Sequence, residues 1–323
     1  MSGPGGRGFR SPWWLRGGHA QTILPARIIP VARLALRRER WDTPDGDFLD
    51  IDYALPEPAA AEAPVLVMFH GLEGGSGSHY ARVLMRAGTR RGWRSLVVHF
   101  RGCGGEENLL PRAYHSGDSA EVGWALAEVA RRWPRARRFA VGISLGGNAL
   151  AKWAGEQGAG ATSVHACAAV SAPLDLVAGG LALEEPGNGI YTRAFLSTLR
   201  GKALAKARRF PGLVDTGRIE RARTMREFDD AFTAPVHGFG GVFDYWTRAS
   251  AKPWLAHIAI PTLVLNARND PFIPADSLPV PGEVSASVTL EQPEDGGHVG
   301  FYGTGPGGWY LAERVPEFFA GTL

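Results

Sequence analysis

Short apolar or β-branched runs recur along the chain, and helical spacing follows most of them. Val65–Phe69, Ser95–His99, Phe139–Val141, Ala166–Val170, Thr262–Asn266 and Ser287–Glu291 read as buried strands. Helical patterns fall at about 78–91, 117–132, 145–156 and 309–320. Ser116 ahead of Asp118 and Glu121 suits a helix start with acidic residues in its first turn. Such alternation predicts an α/β protein with a mostly parallel central sheet flanked by helices. Ahead of these units, Arg40–Asp42 and Phe48–Tyr53 read as a hairpin around Pro44-Asp45-Gly46.

One interval breaks the rhythm. Residues 174–260, between the strand ending at Val170 and the strand at Thr262, are too many for a structureless crossover. They are helix-forming, punctuated by Pro186-Gly187, Pro211-Gly212 and Gly238–Gly241, and read as a helical cap inserted into the fold. The expected organisation is an N-terminal arm at 1–34, a core at 35–173 and 261–323, and the cap at 174–260. The Gly-rich start, residues 1–8, is expected to lack order.

Composition adds limits rather than a function. Hydrophobic residues make up 45% of the 323 and charged residues 21%, enough apolar material for a large core. A formal charge of +3 gives no reason to expect a nucleic-acid partner. Residues 1–40, however, hold eight arginines against a single acidic residue, Glu39. This arm reads first as a solvated face. Its secondary reading is peripheral contact with anionic lipid through Arg27, Arg33, Arg37 and Arg38 beside Ile28, Ile29 and Leu34. Two cysteines, Cys103 and Cys167, make no disulfide framework. With no secretory apolar core at the N-terminus and no membrane-spanning run, the expected location is cytoplasmic.

The chemistry centres on Phe139-Ala-Val-Gly-Ile-Ser144-Leu-Gly146, an apolar strand running through Gly-x-Ser-x-Gly into a helix. A nucleophilic serine needs this sharp turn so that its hydroxyl stands above the sheet. Among 43 glycines the bare pattern is weak; its position between a strand and a helix gives it weight. Serine at its ordinary pKa is a poor nucleophile and needs an adjacent base. Where this turn is used, the partners follow in the order acid, then histidine. Asp270 and His298 fit, each in a loop behind its own strand, where open sheets assemble sites. The loop His70-Gly71-Leu72-Glu73 after Val65–Phe69 suits a second oxyanion donor. Leu72 N–H and Leu145 N–H are therefore the two candidates. His70 reads as a loop-holding residue, and Glu73 reads equally as a pocket border or a solvated side chain.

Other motifs fail on context. Gly3-x-Gly5-x-x-Gly8 and Gly303-x-Gly305-x-x-Gly308 match a dinucleotide fingerprint only literally, since neither follows a strand in a βαβ unit. There is no phosphate-binding loop and no His-Glu-x-x-His. No cofactor and no metal are expected.

Several linked motifs resemble the bacterial YheT-like α/β-hydrolases. They are His70-Gly-Leu-Glu-Gly-Gly, His99-Phe-Arg-Gly-Cys-Gly-Gly, Gly142-Ile-Ser-Leu-Gly-Gly-Asn, Glu227-Phe-Asp-Asp-Ala-Phe-Thr and Asn266-Ala-Arg-Asn-Asp-Pro-Phe. The likeness runs from about Ser11-Pro-Trp-Trp and His19-Ala-Gln-Thr to the C-terminus. It implies the α/β-hydrolase fold, a triad of Ser144, Asp270 and His298, and residues 174–260 as the cap. Eukaryotic members of the family include membrane-anchored acylglycerol and phospholipid lipases. The chain departs from the family in carrying Asn269-Asp270 where paired aspartates are common, and the N-terminal anchor of the eukaryotic members is not expected in it. The expected function is hydrolysis of carboxylic esters with short- to medium-chain acyl groups, with acylglycerols as one candidate class. Acyl transfer to an alcohol and a non-catalytic ligand receptor are the alternatives. Acyl length, alcohol, physiological substrate and oligomeric state are not legible.

Overall fold

A computed structural model describes residues 8–303 and 307–322. The expectation for residues 1–8 therefore lies, Gly8 apart, outside the described residues, as does Gly305 of the second glycine motif. Eight strands form one sheet: β1 (Leu36–Asp42), β2 (Phe48–Ala54), β3 (Val65–Phe69), β4 (Arg94–Val98), β5 (Arg138–Ile143), β6 (Ala166–Val170), β7 (Thr262–Leu265) and β8 (Val288–Glu291). Their spatial order is β1-β2-β4-β3-β5-β6-β7-β8. β1 and β2 form the antiparallel hairpin, β2 runs antiparallel to β4, and every pairing from β4 through β8 is parallel.

The alternation of side chains sorts the central strands onto two cores. Val65, Val67 and Phe69 of β3 face one side with Ala140, Cys167 and Val264. Leu66 and Met68 face the other with Phe139, Val141 and Leu263. Every residue of β3 through β7 is buried, as expected for strands covered on both faces. Helix α1 (Gly18–Arg27) precedes the sheet; α2 (His79–Arg90), α3 (Ser119–Arg132) and α4 (Leu145–Gln157) follow β3, β4 and β5. α3 and α4 cover the first face, through Val122, Leu126 and Leu150 among others. α2 covers the second with the C-terminal helix, through Leu84, Met85, Val315 and Phe319.

Between β6 and β7 the chain forms α5 (Leu176–Ala182), α6 (Gly189–Arg209), α7 (Thr216–Arg221), α8 (Met225–Phe228), a π-helical turn at Asp229–Thr233, α9 (Ala234–Val236) and α10 (Val242–Ala249). The last helix, α11, is Tyr310–Ala320. The β6–β7 helices carry apolar clusters of their own, one around Leu196, Ile219 and Phe228, another around Leu176, Tyr245 and Trp246. Among the described residues no helix is long and apolar enough to cross a membrane.

Part of the basic N-terminal region is ion-paired. Arg37 pairs with Glu57 and Glu39, Arg38 clasps Asp52 with both guanidinium edges, and Leu34 packs against the core. Two of the four arginines named for lipid contact are thus paired, while their side chains stay 45% exposed. The cause is the hairpin: β1 lies beside acidic residues of β2 and the following loop, so charges pair across neighbouring strands.

Candidate active site

Because β3, β5, β6, β7 and β8 are parallel, the loops after them gather along one edge of the sheet. Ser144 sits between the last residue of β5 and the first of α4, with φ 53° and ψ −119°. This is a strained conformation for a non-glycine residue, held by backbone hydrogen bonds: Ser144 N–H donates to Val170 O at 2.9 Å. Gly147 and Asn148 N–H donate to Ser144 O at 2.9 and 3.1 Å. The flanking glycines are required by crowding. A Cβ at Gly142 would overlap the carbonyl of Gly146, and one at Gly146 would overlap the carbonyls of Phe69 and His70.

The three polar residues named from the sequence meet at this turn. His298 Nε2 lies 2.9 Å from Ser144 Oγ, and His298 Nδ1 lies 2.8 Å from Asp270 Oδ2. A carboxylate accepts only, so Nδ1 carries the proton and Nε2 keeps its lone pair toward the serine hydroxyl. Asp270 Oδ1 accepts from Phe272 N–H at 2.8 Å, which fixes the carboxylate plane. The Phe272 ring packs against the imidazole, centroids 4.2 Å apart. Asp270 and His298 are both buried.

Leu72 and Leu145 border the same cavity as Ser144 and His298. Leu145 opens α4, so its N–H has no partner within the helix. Among the described residues Leu72 N–H donates to no protein group. Gly71 brings this loop against the serine: a Cβ there would stand 3.1 Å from Ser144 Cβ. His70 holds the loop from below. Nδ1 donates to Gly71 O at 2.7 Å, and Nε2 accepts from Phe100 N–H at 3.0 Å. Full burial pushes this imidazole down to about 3, so it stays neutral.

The cavity measures about 380 Å³. Its walls are mainly apolar, with Leu183, Phe195, Leu199, Phe228 and Trp246 from the β6–β7 helices. Asp229, in the π-helical turn, is the buried carboxyl of this wall. Thr233 Oγ1 and Trp246 Nε1 donate to it at 2.6 and 2.9 Å, and burial pushes it up to about 6. Among the described residues no group of three or more His, Cys, Asp or Glu is arranged to hold a metal ion.

Several residues that the sequence reading gave no role support the site. Thr22, in α1, accepts the His298 backbone N–H at 2.9 Å. Gln21 donates to Tyr302 O at 2.8 Å and accepts from Tyr302 N–H at 3.1 Å, gripping the same loop. A Cβ at Gly300 would overlap Gln21 O, so the approach is close. Val299 stands at φ 62°, unusual for a β-branched residue, with its N–H on Ser171 Oγ at 2.9 Å. Asn269 bridges the two loops: Nδ2 donates to Asp295 Oδ1 at 2.9 Å and Oδ1 accepts from Gly297 N–H at 3.0 Å. An aspartate there could accept but not donate, so the departure from paired aspartates has a structural use. Asn148, in the motif after Ser144, donates to Ser116 O and Ala249 O and accepts from Ala251 N–H, tying α4 to the end of α10.

Comparison with known proteins bears on the family and the fold. Residues 64–303 match the alpha/beta hydrolase fold family. The chain is 38% identical over 305 residues to YheT of Escherichia coli (strain K12), an esterase by name, covering 93% of this chain and 89% of that one. It is 30% identical to the human phospholipase ABHD3 over 295 residues, 89% and 72% of the two chains. Among solved structures, the Pyrococcus furiosus esterase Pf2001 superposes with a TM-score of 0.55 at 16% identity, covering 92% and 98% of the chains.

Proposed function

The chain belongs to the YheT-like family of α/β-hydrolases, a group of esterase- and lipase-type enzymes, and on that premise we propose that it is a serine hydrolase of carboxylic esters with short- to medium-chain acyl groups. The observation that carries this reading is the relay from Asp270 through His298 to Ser144, at 2.8 and 2.9 Å. In the proposed reaction Ser144 Oγ attacks the ester carbonyl while His298 Nε2 takes its proton, and Asp270 orients and stabilises the imidazolium. The carbonyl oxygen, now negative, is received by Leu72 and Leu145 N–H; losing one such donor costs about 3 kcal/mol of barrier. His298 returns the proton to the departing alcohol, leaving an acyl-serine. Water, deprotonated by the same imidazole, then releases the acid.

We read residues 174–260 as a cap whose apolar side chains receive the acyl group. A cavity of about 380 Å³ lined by Leu183, Phe195 and Leu199 supports an acyl chain rather than a charged one. Acylglycerols fit the same description.

The test is turnover of a chain-length series of nitrophenyl esters by the wild type and by Ser144→Ala. Wild-type activity that peaks at a short or medium chain and falls at least ~10⁴-fold in the variant is expected. A variant that keeps wild-type turnover would refute the serine mechanism. Added ethanol separates hydrolysis, which yields acid, from acyl transfer, which yields ethyl ester.

A further inference from the structure

Glu73 occupies a backbone position that ordinarily selects glycine or asparagine. Gly74 N–H donates to Gly71 O at 2.9 Å, closing a turn in which Glu73 is the third residue, at φ 55°. A non-glycine residue persists there only if its surroundings hold it. Here the holding is done by its own side chain and by the phenol of Tyr114. Glu73 N–H donates to Tyr114 Oη at 3.0 Å, and the same hydroxyl donates to Glu73 Oε1 at 2.8 Å. Tyr114 is in turn buried and stacked on Phe100, with ring centroids 5.5 Å apart and planes 6° from parallel. Glu73 Oε1 also accepts from Lys202 Nζ at 2.8 Å, reaching down from α6, and more weakly from Cys103 Sγ at 4.0 Å. Lys202 and Glu73 both border the cavity that holds Ser144.

The second residue of this turn is Leu72. The turn that Glu73 completes therefore sets where the Leu72 N–H points. From this geometry we infer that Glu73, Tyr114 and Lys202 are positioning residues for the oxyanion site, and that Lys202 makes the shape of that site depend on the seating of α6. The inference rests on the serine-hydrolase reading above. None of the three residues needs to touch substrate. Lys202 acts through Glu73, and Glu73 acts through the peptide that carries Leu72.

The distinction from a merely structural role lies in which kinetic quantity moves. A misplaced oxyanion donor weakens the transition state and leaves ground-state binding in the apolar wall intact. Lys202 is partly exposed on α6, so Lys202→Met should fold. Tyr114→Phe keeps the ring stack and removes only the hydroxyl. Expected for both on a nitrophenyl ester is a fall in kcat of about tenfold with KM within about twofold of wild type. Affinity for a trifluoromethyl ketone, whose adduct with serine mimics the tetrahedral intermediate, should fall by the same factor. Lys202→Arg, which restores a cation at the same place, should recover most of the loss. Wild-type kcat and ketone affinity in both variants would overturn the inference, as would a loss confined to KM. An inactive Ser144→Ala beside an unaffected Lys202→Met would remove this inference alone. An active Ser144→Ala would remove the reading it rests on.

Discussion

The turn carrying Ser144 and the loop carrying His298 meet at one hydrogen bond, but they are built in opposite ways. Around Ser144 the geometry is local and made of backbone: β5, two glycines, the first turn of α4 and the carbonyls of adjacent strands. Around His298 it is borrowed. Thr22 reaches it across 276 positions and Gln21 holds Tyr302 across 281. Ser171 takes the Val299 N–H, and Asn269 links the acid loop to Gly297. The Ser144 turn is thus fixed by steric exclusion, which one added methyl defeats, whereas the histidine loop is fixed by several side-chain hydrogen bonds that can be removed one at a time.

Substitutions should reveal that difference as an all-or-none response on one side and a graded one on the other. The largest effect is expected for Gly146→Ala, whose methyl would overlap the carbonyls of Phe69 and His70. Ester turnover should fall by about 10³-fold or more, measured beside circular dichroism to record whether the sheet survives. Wild-type turnover in this variant would mean the turn is looser than its contacts imply. Next comes Thr22→Val, which leaves the buried His298 N–H without its acceptor. We expect kcat to drop about 10- to 100-fold with KM little changed, and unfolding free energy to fall by about 1–3 kcal/mol. Asn269→Asp should act in the same direction but less, about tenfold, because it sets a carboxylate against Asp295 while keeping the acceptor for Gly297. If either variant matched wild type in single-turnover acylation, the histidine loop would be shown to stand without its borrowed supports.

The smallest effect concerns pH. His70 is held neutral, its pKa pushed down to about 3 by burial, against about 6.5 when unfolded. The folded state therefore binds fewer protons than the unfolded state between those values. The stability this leaves in place above about pH 6.5 is lost as pH falls toward 3. Denaturant titrations at pH 7.5 and pH 5 should show that the loss between them is smaller by about 2 kcal/mol in His70→Gln than in wild type. An equal loss in both proteins would show that this histidine is not held neutral.

The same contrast explains how much was legible from sequence. Strand–helix alternation, the hairpin at Pro44-Asp45-Gly46 and the Ser144 turn all follow from residues near one another, whose periodicity or spacing is visible in the chain. Asp270 and His298 were found because each follows its own strand, a positional cue that survives any distance in sequence. Thr22, Gln21, Asn148 and Asn269 carry no such cue, since a hydrogen bond across hundreds of residues leaves no period. Glu73 read as a border or solvated residue because its partner Lys202 lies in the β6–β7 helices. The pairing of Arg37 and Arg38 in β1 is not legible for another reason. Charge is visible in sequence, whereas pairing with Asp52 and Glu57 depends on how the hairpin settles beside β4.

Central to all of this is the proposal that His298 activates the Ser144 hydroxyl. Treatment with a fluorophosphonate, followed by intact-mass and peptide mapping, reads that activation without a substrate being known. One adduct per chain is expected, on Ser144, absent in Ser144→Ala and formed at least ~10³-fold more slowly in His298→Ala. Labelling at another residue, or an undiminished rate on Ser144 when the imidazole is gone, would contradict it.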